Sequence, residues 1–489
     1  MSGQLDNKGL PTCLLRQVTS QVGDEASSAR INANNAWYVN TSNGNRNNNN
    51  TNNRNRVVGS SELIENCQEW MDAEAGAYKN KHHNFDAARF HFHLPELYEL
   101  AFDVTAGKYE PRPMTAFVLS YPVYREAFAP DHRDCIVHHY IAPLFNAVAD
   151  GVHADNGDIS HGNRIGHSAQ GMAERIREDI RYISQGYTRP CVHMHRDISG
   201  FFLSINRRQA YEITARLAGH YYNKPDRDEK LQLLKVTLTS DPMKDLQLKS
   251  PATAWIKHIP SDKMMANARH GCGLPIGKYP SQVVAGIVLS LVDAELAKNK
   301  AVRAEHFVDD YSIIAHSTQE AEAAINSTLP IFDSLGLKLH PRKISVQPAA
   351  NGILSCGRVV KRDRIYVSNR TVRACKAAIR EAPRNETGAK ELCRSINSYF
   401  GLMCHCNAWN IQKTIAAKVN EDFGTWLYFK YEPNHLICKV RRRYSDFSEA
   451  TLEIVKLISK IHYETRKDYQ RNYRPGRSGK RSRGRRKAA

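Results

Sequence analysis

The sequence predicts an α+β fold, with helical blocks set around a few short strands and two polar ends that hold no core. Three observations predict it. Apolar residues recur at helical spacing in long stretches, as in Gly171 to Ser184, where Met172, Ile176, Ile180 and Ile183 share one face. Short runs of β-formers, Phe307-Val308 and Ile313-Ile314, flank the adjacent acids Asp309-Asp310, which reads as strand, tight turn, strand. Residues 32–55 are dominated by asparagine and residues 471–487 by spaced arginine and lysine. Neither end can bury enough apolar surface to offset its ordering entropy.

Composition narrows the partners. The 489 residues, 41% of them hydrophobic, allow two to four domains with ample core. A formal net charge of +19 points to a polyanion, with nucleic acid ahead of an anionic membrane surface. No apolar run reads as long enough to span a bilayer and no signal-peptide pattern opens the chain, so no membrane partner is expected. Eleven cysteines, none in C-x-x-C spacing, argue against a secreted disulfide framework and for a reducing cytoplasm. Cys404-His405-Cys406 has no second ligand pair at finger-like spacing and is not read as a zinc site.

The pattern turns helical from Glu62 to Lys81, and a second helical stretch runs from Asp86 to Ala106. Phe117-Val118-Leu119 is a short strand. Arg125 and Arg133 lie in a basic stretch, as phosphate ligands or as ordinary surface arginines, and Arg133 opens an apolar helix to about Val148. Asp150 to Gln170 reads as a loop containing Gly162-Asn163-Arg164-Ile165-Gly166, and the helix Gly171 to Ser184 follows. Cys191 to Phe202 is an alternating strand that delivers Asp197 and breaks at Gly200. Arg207 to about Lys263 is charged and mostly helical.

The glycine-rich loop Gly271 to Gln282 then leads into the apolar helix Val283 to Leu296. Glycines before a helix leave backbone N–H groups for phosphate, or let a flat base approach closely. No Walker Lys-Ser/Thr follows, so a P-loop is excluded. After the acid pair come a helix from Thr318 to Leu335, strands around Ile353 to Val360 and Ile365 to Val367, and helices with basic faces from Thr371 to about Thr465.

Side chains alternate faces along a strand, so Asp309 and Asp310 cannot both enter a core. They are solvated or they hold a cation, and hard divalent cations take carboxylate oxygens together with substrate phosphates. Asp197 supplies a third acid. If the three converge on one face of a sheet, they form a site for two divalent ions suited to phosphoryl transfer.

With these motifs in this order, residues 77–410 resemble a reverse transcriptase. Asp197-Ile198-Ser199-Gly200-Phe201-Phe202 is similar to that family's first catalytic motif, and Phe307-Val308-Asp309-Asp310 to its aromatic-x-Asp-Asp motif. The resemblance implies a right-hand polymerase with helical fingers (61–186), a palm with an antiparallel sheet (187–206 and 271–367), a helical insert (207–270) and a helical thumb (368–465). Residues 1–60 and 466–489 are the disordered ends. It implies two Mg²⁺ ions, with Mn²⁺ as an alternative, on Asp197, Asp309, Asp310 and the Ile198 carbonyl. Phe202 would exclude a ribose 2′-hydroxyl. Arg125, Arg133 and Lys343 would face the triphosphate of an incoming dNTP, although Cys135 stands where related enzymes often carry a second arginine. Ile276, Gly277 and Gln282 would line the nucleotide site, and Leu354-Ser355-Cys356-Gly357 resembles the primer-grip hairpin, with Cys356 and Gly357 at its turn.

Two features point to a branch of that family. Ile276-Gly277-Lys278-Tyr279-Pro280-Ser281-Gln282 resembles the Ile/Val/Leu-Gly-x-x-x-Ser-Gln form of diversity-generating retroelement enzymes, where most relatives carry Gln-Gly-x-x-x-Ser-Pro. An aliphatic side chain at 276 removes polar contacts near the nascent base pair, so a misfit loses less binding energy. Error-prone synthesis opposite template adenines is expected. The stretch Ala36 to Arg56, with its run Asn47-Asn48-Asn49-Asn50, resembles a template repeat read in frame, since every Asn codon begins with two adenines. The resemblance implies template RNA, cDNA and a small basic helical-bundle accessory protein as partners, in a bacterial or phage-encoded cytoplasmic setting. A defence-associated or retron-type reverse transcriptase is the neighbouring reading. A catalytically silent RNA-binding scaffold is the reading from another class, and the intact acids speak against it.

Overall fold

A computed structural model describes residues 60–441, except 80, 82, 83, 121, 122, 433 and 434, and also residue 457. The asparagine tract, the basic tail and, except for Leu457, the part of the expected helical stretch after Arg441 lie outside the described residues. The chain divides into two compact units, Met1–Ile365 and Tyr366–Ala489.

In the first unit, α1 (Ser60–Tyr78), α2 (Phe85–His91) and α3 (Leu94–Thr105) precede β1 (Thr115–Leu119) and β2 (Arg125–Ala129). Then come α4 (His132–Tyr140), α5 (Ala142–Asp155), α6 (Ala169–Ile183), β3 (Val192–Ile198), α7 (Phe201–Ser204), α8 (Arg207–Tyr221) and α9 (Arg227–Thr239). They are followed by β4 (Gln247–Leu248), α10 (Ala252–His258), α11 (Tyr279–Lys298), β5 (Arg303–Phe307), β6 (Asp310–Ala315), α12 (Thr318–Ser334), β7 (Leu339–Pro348), β8 (Ile353–Ser355) and β9 (Arg358–Val360). The short strand β10 (Ile365–Val367) carries the division between the units.

The central sheet has the order β5-β6-β3-β7 and is antiparallel throughout. β6 is buried along almost its whole length, as an inner strand should be, while β7 is exposed and carries Pro341, Arg342 and Lys343. Charge and proline suit an edge strand because they block pairing with another chain. α6 and α12 pack on the sheet, and α11 packs against α5, α8 and α12. Met172, Ile176, Ile180 and Ile183 of α6 are buried, as their spacing predicts. A smaller sheet, β2-β1-β4, is sealed by Trp255, Met264 and Met265. Its Glu126 is buried but accepts hydrogen bonds from the Trp255 indole (2.8 Å) and the Met265 amide (2.7 Å).

The second unit holds α13 (Asn369–Glu381), α14 (Glu386–Met403), α15 (Trp409–Phe423) and a hairpin of β11 (Leu427–Glu432) and β12 (His435–Val440). Ile396, Phe400, Val419, Phe423, Leu427 and Cys438 sit in its core. Asn397 fixes the hairpin to α14: its amide donates to the Cys438 carbonyl (2.9 Å) and accepts from the Cys438 N–H (2.8 Å).

Several expected boundaries are corrected. The stretch Asp86 to Ala106 is two helices, because Pro95 opens a new one, and the helix expected to run from Arg133 to Val148 breaks at Ile141 for the same reason at Pro143. The loop of 150–170 is shorter at both ends, since α5 continues to Asp155 and α6 starts at Ala169 behind a Ser168 cap. The all-helical expectation after Thr371 gives way to the β11–β12 hairpin. α11 is, by length and composition alone, long and apolar enough to cross a membrane, contrary to the sequence reading. Its residues pack into the core of the first unit instead.

Candidate active site

β3 and β6 lie side by side, and their register puts Asp197 opposite Asp310. Asp310 also closes the β5–β6 hairpin by pairing with Phe307, so Val308 and Asp309 form its two-residue turn. The strand–turn–strand reading of the acid pair therefore holds. The turn is pinned to β3 by the Ile198 amide, which donates to the Asp309 carbonyl at 3.2 Å. Val308 adopts a left-handed conformation with φ of 61°, which is costly for a β-branched residue. Gly162 closes over it: a Cβ at 162 would come within 2.6 Å of Val308 Cγ2 and 2.8 Å of its nitrogen.

On the other side of Asp197 the β3–β7 register breaks. Arg196 faces Ile344 but Ile198 faces Leu339, so β7 bulges opposite the acid. Lys343 sits in that bulge, and its Nζ donates to Asp197 Oδ2 at 2.8 Å. Bulges re-aim side chains, and this one turns an exposed edge lysine onto the sheet's acid cluster.

The electrostatics are those of crowded carboxylates. Burial, then the charges of Asp310 and Asp197, push Asp309 up to about 6. Burial also acts on Asp310, but contacts with His195 (3.4 Å), Asp197 and Lys343 outweigh it and hold that carboxyl below its ordinary range. Its bond to Asp197 pushes the Lys343 ammonium up.

Beside the acids opens a cleft of about 500 Å³. Among the residues singled out in the sequence, Arg125, Asp197, Ile198, Phe202, Ile276, Asp309 and Lys343 line it. Asp310 adjoins it through Asp197. Gly277 is one residue beyond the wall, and its place is set by packing: the Ile276 carbonyl accepts from the Phe128 amide (2.8 Å), and a Cβ at 277 would fall 2.3 Å from the Phe128 oxygen. Gln282 lies in the second turn of α11, where its carbonyl meets the Asn163 side chain at 3.5 Å. Cys356 and Gly357 both have positive φ, as a tight hairpin turn between β8 and β9 requires. They do not line the cleft, but Cys356 is near enough for Asp310 to add to the effect of burial in pushing its thiol up.

Arg133 is not brought to the cleft. It bonds Asp103 at 2.9 Å, donates to the Glu110 carbonyl and lies over the Tyr109 ring. Sequence reasoning also missed several residues. Asp293 and His306 form a buried pair beneath the acid turn, and Glu126 and Arg269 shape the cleft wall. An acid in the middle of the apolar run Val283 to Leu296 is the signal that marks Asp293.

The acids and the Ile198 carbonyl offer the hard oxygen donors that Mg²⁺ prefers. As they stand, Asp197 faces Lys343 and Asp310 faces His195. Among the described residues no group of three or more His, Cys, Asp or Glu side chains is gathered closely enough to hold a metal ion. That includes Cys404-His405-Cys406.

No family model matches the chain, and no curated protein matches it. Solved structures give a loose likeness. The apo telomerase of Candida tropicalis, truncated from its C-terminal domain, matches with a TM-score of 0.39 at 11% identity, covering 55% of this chain and 59% of that one. The telomerase of Candida albicans in complex with a TWJ fragment of telomeric RNA matches with a TM-score of 0.38 at 10% identity, covering 64% and 59%. The chain thus spans about three fifths of the length of each. Neither fold nor activity follows from likeness at these values.

Proposed function

We propose that this chain is a reverse transcriptase, an RNA-directed DNA polymerase that copies a template-repeat RNA into cDNA with frequent errors opposite adenine. One observation carries the reading. Asp197 and the Asp309-Asp310 pair, far apart in sequence, meet at the ends of adjacent strands and border a cleft whose wall also holds Arg125, Phe202, Ile276 and Lys343.

The three carboxylates and the Ile198 carbonyl would hold Mg²⁺, or Mn²⁺ in its place. Bound there, two such ions would activate a primer 3′-hydroxyl and neutralise the triphosphate. Lys343 neutralises Asp197 and is long enough to transfer its charge to a phosphate once that carboxylate is otherwise engaged. Arg125, exposed at the end of β2, is the second cation for the triphosphate, a role that Arg133 cannot share while bound to Asp103. Phe202 lines the same cleft as Asp197 and would meet a ribose bound there, and Ile276 would offer the nascent base pair an apolar wall without a hydrogen-bonding group. The Cys356-Gly357 turn would support the primer end near Asp310. In the second unit, Tyr428, Lys430, Lys439 and Arg441 give the β11–β12 hairpin an exposed basic and aromatic surface, with Arg441 over the Tyr428 ring. Such a surface suits a nucleic-acid backbone and its bases.

The asparagine tract and the Ile276 form favour the diversity-generating branch over defence-associated or retron-type enzymes. The silent RNA-binding scaffold keeps one observation in its favour: Asp197 is already neutralised by Lys343. Primer extension on an RNA template in Mg²⁺ separates the two. Asp309→Ala and Asp310→Ala are expected to abolish extension while RNA binding stays within about twofold. Undiminished extension by either variant refutes the metal assignment, and wild-type protein that binds RNA without extending a primer establishes the scaffold.

A further inference from the structure

The turn that carries Asp309 rests on a buried histidine to which polymerase chemistry gives no task. His306 has 0% of its surface exposed, and so has Asp293 from the apolar helix α11. His306 Nδ1 lies 3.0 Å from the Val308 carbonyl oxygen, and Nε2 lies 3.1 Å from Asp293 Oδ2. A carbonyl and a carboxylate both only accept, so both ring nitrogens must donate, and the ring is an imidazolium. Its surroundings agree. Burial opposes the charge, but Asp293 and the Val308 carbonyl together raise the histidine above its ordinary value. His153 lies 3.5 Å from Asp293 Oδ2, Glu305 and His161 also act on the ring, and Tyr311 donates to Asp293 Oδ1 (3.0 Å) and stacks on the imidazole.

Val308 occupies a conformation that a valine does not adopt unaided. Its carbonyl direction is fixed from below by His306 and its side chain from above by Gly162. We infer that His306 is a positioning residue: paired with Asp293, it donates to the Val308 carbonyl, locks the left-handed turn, and thereby sets Asp309 and Asp310 at the spacing a divalent cation needs. The inference deepens the polymerase reading and rests on it.

The test replaces the pair as a unit. Removing one partner strands a buried charge, whereas apolar groups of similar volume are tolerated at buried ion pairs. The variant His306→Phe with Asp293→Leu is therefore compared with wild type in the full chain. Thermal unfolding within a few degrees of wild type and RNA binding within about twofold are expected. Extension is expected to fall at least tenfold in kcat, and the Mg²⁺ concentration at half-maximal rate to rise at least fivefold. A folded variant with wild-type kcat and Mg²⁺ dependence overturns the inference, because His306 then only fills space. If the double variant fails to fold, His306→Leu with Asp293→Asn, which also removes both charges but leaves Tyr311 an acceptor, is measured by the same criteria. Mn²⁺ binding followed by electron paramagnetic resonance gives a readout independent of turnover. Wild-type protein that binds Mn²⁺ without extending a primer removes the polymerase reading alone, and equal Mn²⁺ affinity in wild type and variant removes the positioning role.

Discussion

Replacing Asp309 with Asn is expected to stabilise the protein at neutral pH while ending its activity. The carboxyl is pushed from an ordinary 3.8 up to about 6 by burial and by its acidic neighbours. The folded value lies above the unfolded one, so between those values the folded state binds more protons than the unfolded state, and stability falls as pH rises. The group favours folding below about pH 4 and disfavours it fully above about pH 6. One pH unit of difference is worth about 1.4 kcal/mol, which sets a ceiling of roughly 3 kcal/mol. Asp309 is only partly shielded from water and Lys343 stands close, so about 1–2 kcal/mol is the better expectation. Asn keeps the shape and cannot ionise. In a unit of this size that gain corresponds to a rise in Tm of about 2–5 °C. Thermal unfolding in EDTA should show the advantage at pH 7.5, its decline through about pH 6 to 4, and its disappearance below about pH 4, where the carboxyl is protonated in the folded and the unfolded state alike. Added Mg²⁺ should then raise the Tm of wild type more than that of the variant. An equal or lower Tm at pH 7.5, or a gain that does not depend on pH, refutes the picture of crowded, mutually repelling acids.

Ile276→Gln should lower misincorporation opposite template adenine several-fold, because a polar wall penalises a misfit that an apolar one tolerates; sequencing of cDNA made on a defined RNA checks it, and an unchanged error spectrum rejects that role for position 276. Gly277→Ala should cost about 2–4 kcal/mol in urea unfolding, since the residue has φ of 108° and its Cβ would meet the Phe128 oxygen at 2.3 Å, and unchanged stability would show that the loop moves away from β2 freely.

Much of the site was legible in the sequence because its signals are local. An acid pair between β-formers, an acid ending an alternating strand and a glycine before a helix each follow from short-range rules. What escaped depends on pairing across distance. β7 reads poorly as a strand, with Pro341, Arg342 and Lys343 in sequence, and its place at the sheet edge comes only from the partner β3. Its bulge, which brings Lys343 to Asp197, has no local signature. Arg133 looked like a phosphate ligand because a basic residue declares its charge but not its partner, and Asp103 lies thirty residues upstream. The β11–β12 hairpin was a different kind of miss. The flanking sequence reads as helical on both sides and made helix the default, whereas the bonds from Asn397 that fix the hairpin come from another element.

The buried charges beneath the site explain why such an acid turn can be held at all. β5 is an edge strand of the central sheet, and an edge strand is the element most free to slip. Its two inner polar residues are committed to different partners. Glu305 meets His161 and Arg175, and it is pushed up to about 7 by its burial, whereas His306 meets Asp293 and the Val308 carbonyl. A one-residue slip would exchange these faces and strand an acid against Asp293 and an imidazolium against Arg175. Each stranded charge costs several kcal/mol, more than the repulsion among the acids and the left-handed valine together can recover. The register that places Asp310 opposite Asp197 is thus fixed by residues that never enter the cleft, and the strain at the turn persists because a slip would break the Glu305 and His306 contacts beneath it together.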